Sequence, residues 1–457
     1  MSFSLSDQFH SNRSKVFFEV EELVYIYWRR NRRRKILWAL ILIAYCLITA
    51  NQFGLFRISD NWYADRVNLM LLDTYANKDH IVKKWGSEEK VEVFFEGSKK
   101  MTFDPLPGYV GKLEKNNYSV EFVSGRTVKL FDSFVELHGY DNEKKPIILG
   151  LDKNGKPNVI EPEGKIPAWI RVTENKVEVR PNLFERIQIY KNKVIVFRYQ
   201  FGWRYFLFDF DSPLRDFSAT DLVKSFFSSE QIIPGKSNMQ LAKEEFLNNS
   251  IWFHGPVFFA LLETITMALL GTMIASIFGL ILSFVAASNI NPLIVVRVFI
   301  KRIFDFLRAV DTLIWSLLLL RAFGPGLLTG ITAIALTETG TLGKLMSEAI
   351  ENTDPKQLEG ITSTGASKIQ SQRYGIIPQI LPVFVSQTLY IFESNTRSAI
   401  IIGAMGSGGI GMLFLSYMRT GVDFENVAYV SILVLITVMI MDMFSAFLRR
   451  MIIGTNK

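Results

Sequence analysis

The chain alternates between long apolar runs and one extended polar region. One apolar run spans Ile36 to Phe53, and the others all follow residue 252. These later runs occupy residues 253–288, 294–322, 326–349, 377–402 and 427–448. Such lengths and compositions predict membrane-spanning helices. The pattern therefore predicts a polytopic α-helical membrane protein with about six transmembrane helices.

Residues 54–250 have a different pattern, in which short hydrophobic segments alternate with polar turns. Three hairpins are predicted, with turns at Ser124-Gly125, at residues 152–155 and at Glu174-Asn175. Residues 194–210 predict one or two more aromatic strands, and short helices are expected after Thr220 and at 241–247. We therefore expect a β-rich domain inserted after the first membrane helix.

Basic residues predict the orientation of the helices. A cluster directly precedes the first helix, which indicates a cytoplasmic N-terminus and places residues 54–250 outside the cytoplasm. The cluster comprises Arg29, Arg30, Arg32, Arg33, Arg34 and Lys35. By the same rule the loop 350–376 and the C-terminus are cytoplasmic. A nucleic-acid-binding arm is the rival interpretation, but the cluster abuts a membrane helix, so we expect no nucleic-acid partner.

Residues 1–35 are predicted to form a cytoplasmic amphipathic and basic segment. Val16 to Tyr27 place apolar side chains on one helical face. This helix either lies on the inner leaflet, in contact with lipid, or packs on the protein's own membrane domain.

Composition limits the chemistry of the inserted domain. Of 457 residues, 49% are hydrophobic and 21% are charged, and the formal net charge is +7. The one cysteine, Cys46, lies in the first membrane helix, so no disulfide within one chain and no cysteine-based metal site is possible. His80 and His138 are isolated in sequence, so we expect no catalytic site, metal or cofactor. One hypothesis is that this domain contacts or partly replaces a substrate-binding partner.

The polar run Glu348 to Pro382 is predicted to dock a soluble partner. Asp354-Pro355 suits the start of a short helix, because Asp caps helices and Pro fits their first position. Apolar side chains can form a narrow face on this segment, at Leu358, Ile361 and Ile369. Gly365-Ala366 removes side-chain bulk where another surface could approach.

This run resembles the coupling loop of ABC importer permeases. That loop reads EAA, three residues, Gly, nine residues, then I-x-L-P, and Glu359, Gly365 and Pro378 fall at matching positions. Gly360 and Ile361 replace the two alanines. Gly375 and Ile377 replace the later isoleucine and leucine. The longer strings GITSTGASKIQSQRYGIIPQILP and TLYIFESNTRSAIIIGAMGSGGIG resemble the permease subunit of phosphonate-type importers over about residues 250–450.

The resemblance implies a type I permease core at 251–457 in the bacterial inner membrane. It implies a homodimer, a cytoplasmic ABC ATPase subunit and a separate extracytoplasmic substrate-binding protein. The implied substrate is a phosphonate or a related phosphite, phosphate or phosphate ester. The implied coupling residues are Glu359, Gly365, Ala366, Ser367 and Pro378.

Two groups of residues at membrane depth are candidates for the substrate pathway. Glu393 and Arg397 are spaced i, i+4 on one helical face, with Asn395 between them. Arg397 could attract an anion while Glu393 orients it, or the pair could only lock neighbouring helices. Gly406, Gly408 and Gly409 form a glycine cluster that suits either an oxyanion-binding loop or close helix packing and gating.

Two other classes of protein stay open. Glu263, Asp311 and Glu338 could form the proton relay of an ion-driven secondary transporter, although paired structural acids are the default, with Asp311 beside Arg308. The second class is a membrane-anchored receptor whose outer domain carries the function. The chain contains no G-x-x-x-x-G-K-[ST] motif, so ATP hydrolysis is expected on another chain and no bond chemistry on this one.

Overall fold

A computed structural model describes residues 31–55, 64–86, 90–114, 116–140, 146–152, 155–160, 166–228, 230–420 and 424–454. The predicted amphipathic helix between Val16 and Tyr27 lies outside these ranges. The chain forms two compact units, residues 1–68 and residues 69–457. In the first, helix α1 (Asn31–Gln52) contains the predicted apolar run except for its last residue, Phe53, and is exposed along nearly its whole length.

Among the described residues of the second unit, two antiparallel sheets of six strands each form the β-rich region, after helix α2 (Ala64–Asp73). One sheet has the order β2-β1-β12-β11-β10-β9, and the other is a simple meander from β3 to β8. The first contains β1 (Ala76–Lys84), β2 (Glu92–Phe95), β9 (Ile170–Val172), β10 (Lys176–Val179), β11 (Glu185–Tyr190) and β12 (Lys193–Phe201). The second contains β3 (Val110–Lys112), β4 (Tyr118–Glu121), β5 (Thr127–Leu130), β6 (Phe134–His138), β7 (Ile147–Leu151) and β8 (Pro157–Ile160).

Alternating side chains of both sheets share one apolar core. Ile81, Val120, Val135, Val177 and Val196 belong to it and are completely buried. The three predicted hairpins are confirmed as β4-β5, β7-β8 and β9-β10. The aromatic run 194–210 contributes a single strand, β12, because the chain leaves the sheet after Phe201.

Aromatic side chains join the β-rich region to the membrane helices. The chain passes through helices α3 (Ala219–Phe227) and α4 (Asn238–Leu247) before α5 (His254–Ala286) begins. Trp203 packs against Trp252 and Tyr429, with ring centroids 5.0 and 6.2 Å apart. The buried His254 contacts the Tyr429 hydroxyl and the Phe206 carbonyl oxygen, each at 2.6 Å. A carbonyl only accepts, so His254 donates from Nε2 and accepts from Tyr429 at Nδ1.

Among the described residues, four helices are long and apolar enough to cross a membrane. They are α1, α5, the continuous helix Lys368–Ser407 and the C-terminal helix Phe424–Ile452. The helices after α5 are α6 (Ile294–Ala309), α7 (Thr312–Phe323), α8 (Leu327–Glu351), α9 (Pro355–Thr362), α10 (Lys368–Ser371), α11 (Ile377–Ile402), α12 (Gly409–Thr420) and α13 (Phe424–Ile453). Predictions of helices at 253–288, 326–349, 377–402 and 427–448 are confirmed.

The prediction of one helix over 294–322 is wrong, because the chain breaks at Val310 and Asp311. Val310 is extended (φ −92°, ψ 121°), and the Asp311 carboxylate accepts the Leu313 N–H at 2.8 Å to cap α7. Asp311 therefore does not pair with Arg308, as the sequence suggested. Arg308 instead lies 3.9 Å from Asp305.

Helix α8 is less apolar than the four spans, but other helices enclose it. Thirteen of its 25 residues are buried. A Cβ added at Gly271 of α5 would lie 2.7 Å from Ile334, and one at Gly279 would lie 3.1 Å from Leu342. Small residues thus let α5 and α8 approach closely, and this contact tolerates polar residues that lipid would not.

Candidate coupling segment and membrane charge network

The predicted docking segment consists of two short, capped helices. The Asp354 carboxylate accepts the Lys356 N–H at 3.0 Å, with Pro355 at the start of α9, as the sequence predicted. Ser367 and Gln370 form a reciprocal capping box at the start of α10. Between the two helices, Gly365 adopts φ +85°, and nothing lies within 4 Å of the position of an added Cβ. The chain reverses here without covering this surface.

The apolar residues of the segment point in two directions. Leu358 and Ile361 are half-buried and face the chain's own Gly375, where an added Cβ would lie 3.1 and 3.3 Å from them. Ile369 is 77% exposed and Tyr374 is 62% exposed. The expected single face of Leu358, Ile361 and Ile369 is therefore wrong. Two of these residues anchor the segment and one faces outward.

The anchored side of the segment reaches the ends of three long helices. Leu358 packs against a buried cluster of Ala287, Ile350, Ile376 and Ile380, which belong to or adjoin α5, α8 and α11. A single π-helical turn, Gln372–Ile376, connects α10 to α11. The segment is thus built onto the membrane helices.

An additional residue, Gln379, fixes the segment to α11. Its Oε1 accepts the Asp354 N–H at 3.0 Å, and its Nε2 donates to the Gly375 carbonyl at 2.8 Å. Sequence reasoning missed it, although an amide directly after the matched Pro378 was visible. Glu359, Ser367 and Pro378 are exposed, and Ala366 is half-buried.

Four charged side chains form a network between α11 and α13. Arg449 donates to Glu393 at 2.9 Å, and Arg397 lies 3.5 Å from Glu393 and 3.7 Å from Asp442. The predicted i, i+4 pair is therefore present, and Asp442 and Arg449 are two further members of its network. Sequence reasoning missed Asp442 and Arg449, because they lie at least 45 positions from Arg397 along the chain and no local pattern joins them.

Exposure differs sharply within this charge network. The Glu393 side chain is 15% exposed, whereas Arg397 is 50% exposed. The contacts of Arg397 in the network are both longer than a hydrogen bond, so Arg397 is loosely held. Asn395 has a different position: it is 2% exposed and donates to Thr272 of α5 at 2.9 Å. It holds α5 and α11 together.

The glycine cluster is a close contact between the start of α12 and α5. Gly406, Gly408 and Gly409 all have positive φ, between 70° and 113°. The Gly409 N–H donates to the Glu263 carboxylate at 3.1 Å, and the Ile410 N–H donates to Thr264 at 2.9 Å. A carboxylate therefore already accepts an amide that an oxyanion would need. This favours the packing interpretation and gives Glu263 a structural role.

Bundled apolar helices with an exposed polar segment between α8 and α11 are the features of a membrane-spanning transport component. Residues 279–453 match the sequence model described as "binding-protein-dependent transport system inner membrane component". The chain belongs to this family, whose members are multi-pass permeases of ABC transporters.

Three curated relatives match part of the chain. The phosphite transport system permease protein PtxC of Stutzerimonas stutzeri is 34% identical over 42% of this chain and 69% of its own length. The phosphate-import permease protein PhnE of Mycolicibacterium smegmatis is 31% identical over 43% of this chain and 36% of its own length. PhnE2 of Escherichia coli, named as a cryptic phosphonate transport system permease, is 42% identical over 26% of this chain and 96% of its own length.

Proposed function

We propose that the chain is the membrane-spanning subunit of an ATP-driven importer for a phosphorus oxyanion. The class covers phosphonate, phosphite, phosphate and phosphate esters. A separate cytoplasmic ATPase docks on residues 354–374, and a second copy of the chain completes the pathway. The relatives' names support the substrate class, since they are permeases for phosphite, phosphate and phosphonate.

The observation that carries this proposal is the two-sided coupling segment. One side packs through Leu358 against the ends of the long helices, and Ile361 faces Gly375 in the π-helical turn that leads into α11. The other side presents Glu359, Gly365 and Ile369 to solvent. A force applied to the exposed side therefore passes to the helices through packed side chains. An ATPase that closes on ATP can use this connection to change access to the pathway.

Orientation and partners follow from the same arrangement. We place both termini and residues 350–376 in the cytoplasm, because basic residues border the corresponding helix ends. The β-rich region then lies outside, with a substrate-binding protein as its neighbour. The description of the family as binding-protein-dependent supports that partner.

Arg397 is the residue we assign to attract the anion. It is half-exposed and its network contacts are longer than hydrogen bonds, so its donors can turn toward an oxyanion. Glu393 orients it from the shielded side. We assign the amide groups of the glycine cluster no role in binding, because the Glu263 carboxylate next to Gly409 repels an anion.

A pull-down of the tagged protein from its native cells tests the docking site. We expect ATPase activity to copurify with the wild type and with Gly365→Asn, which tolerates positive φ with a short side chain. Gly365→Arg should lose it. The matched control is Gly125→Arg, because Gly125 also has positive φ (+79°) and open space around its Cβ position, but lies in the β4-β5 hairpin. ATPase bound equally by Gly365→Arg would contradict the docking site.

Uptake into proteoliposomes tests the substrate class. The permease is reconstituted with its ATPase and binding protein, and uptake of phosphate, phosphite and methylphosphonate is compared with that of sulfate. ATP-dependent uptake of at least one phosphorus oxyanion is expected. Uptake that is independent of ATP but requires an ion gradient would identify a secondary transporter instead.

A further inference from the structure

An exposed apolar patch lies at one end of the β-rich region. Its members, Tyr75, Val123, Phe184 and Phe201, are called here the β-region patch. Val123 is 74% exposed, Phe201 67% and Tyr75 57%. Val123, Phe184 and Phe201 line one groove of about 570 Å³. Tyr75 and Phe184 have ring centroids 6.5 and 4.9 Å from that of Phe201, so the patch is continuous.

The patch connects to a membrane-spanning helix through a series of aromatic rings in contact. Tyr75 lies 6.4 Å from Trp203, and Trp203 lies 6.2 Å from Tyr429 of α13. Tyr429 is five residues after the start of α13, or about 8 Å along its axis. The 30 residues of α13 extend about 45 Å, roughly 15 Å more than the hydrocarbon core, which leaves about 7 Å at each end of a centred helix.

These lengths place Tyr429 at the edge of the hydrocarbon core. Trp203 packs on Tyr429 and also on Trp252, two residues before α5 begins, so it lies at this end of the helices, near headgroup depth. The ring of Tyr75 is in contact with Trp203 on the side of the β-rich region. Phe253, at the start of α5, and Leu207 are also substantially exposed, at 41% and 48%. Aromatic residues with one polar end concentrate at this depth in membrane proteins.

We propose that the β-region patch rests on the lipid headgroups of the outer leaflet. Lipid is the occupant because the patch continues, ring by ring, from side chains packed on a membrane-spanning helix. The contact shields apolar surface that water would otherwise cover, and it holds the β-rich region against the bilayer. The inference rests on the proposed membrane insertion and orientation, but not on the substrate or the ATPase.

Site-specific fluorescence in nanodiscs tests this contact. The variant Phe201→Cys, in a Cys46→Ser background, is labelled with an environment-sensitive dye and placed in nanodiscs of 3:1 phosphatidylcholine and phosphatidylglycerol. Quenching of the dye is measured as the difference between nanodiscs with and without headgroup-spin-labelled lipid. Val172→Cys is the matched control, because Val172 is an exposed apolar residue of the same sheet. Val172 pairs across the sheet with Val177, Val177 pairs with Ile189, and Ile189 pairs with Val194. Val194 is seven residues from Phe201 along β12, so the two ends of this strand are about 23 Å apart.

The dye at position 201 should be quenched at least threefold more strongly than the dye at position 172. Tyr75→Cys is a second position in the patch and should behave like position 201. Equal weak quenching at 201 and 172 would overturn the proposal. The proposal would also be overturned if the dye at position 201 became shielded from water only after a second copy of the chain or a substrate-binding protein was added, because protein would then cover the patch. Failure of uptake in any variant would concern the proposed transport function and not this contact.

Discussion

Neutralising Glu393 should destabilise the membrane domain far more than neutralising Asp442. Both changes, Glu393→Gln and Asp442→Asn, remove one negative charge from the same network. They differ in burial and geometry. Glu393 is 15% exposed and accepts a 2.9 Å hydrogen bond from Arg449, whereas Asp442 is 40% exposed and lies 3.7 Å from Arg397.

The magnitudes follow from these differences. Removing one partner of a shielded, hydrogen-bonded ion pair costs about 3 kcal/mol, because the other charge loses its compensation. An exposed pair beyond hydrogen-bond distance contributes about 1 kcal/mol or less. The double variant Glu393→Gln with Arg449→Gln should recover at least about 1 kcal/mol relative to the sum of the single variants, since no unpaired charge is left between these two positions.

Reversible unfolding of the detergent-solubilised protein measures these free energies. Arg397→Gln serves in the same series, and we expect little loss of stability but a large loss of anion uptake. Equal costs for Glu393→Gln and Asp442→Asn would refute the assignment of Glu393 as the shielded centre. A stable Arg397→Gln variant with normal uptake and unchanged anion preference would refute the pathway role of Arg397.

Two further predictions concern a close contact and a titrating group. Gly411→Ala should prevent correct packing of α12, because the new methyl group overlaps the Ile400 carbonyl oxygen. The control Gly360→Ala should stay folded, because the space around Gly360 is open. Equal yields of folded protein for the two variants in size-exclusion chromatography would contradict this prediction. Burial lowers the pKa of His80 to about 4, so the β-rich region should lose up to about 3 kcal/mol as pH falls from 6.5 to 4. The thermal midpoint of the β signal in circular dichroism should fall over this range in the wild type but much less in His80→Phe, and an unchanged dependence in the variant would exclude His80 as the cause.

Local patterns predicted the parts of the fold that local interactions determine. The Ser124-Gly125 turn sits between alternating strands, and the predicted hairpin forms there because Gly125 supplies positive φ. Asp354-Pro355 starts a helix because the cap and the fixed φ of proline act within one turn. Apolar runs located most of the membrane helices for the same reason.

Contacts between distant residues could not be read in this way. The pairing of Glu393 with Arg449 depends on how α11 packs against α13, and hydropathy does not specify that rotation. The inward direction of Leu358 depends on Gly375, which lies beyond the next helix. The break at Val310 was missed because an amphipathic segment leads directly into the apolar residues after Asp311, and this concealed the capping role of Asp311.

The β-rich region begins and ends at nearly the same point. The Gly202 N–H donates to the Tyr75 carbonyl at 2.9 Å, and the Asn77 side chain donates to the Gly202 carbonyl at 2.9 Å. Neighbouring strands of this kind are about 5 Å apart, a gap that a tight turn can bridge. We therefore expect residues 76–201 to be replaceable as one segment. A gene could gain, lose or replace it without changing the spacing of the membrane helices, and a reporter domain with adjacent termini could be grafted at the same junction.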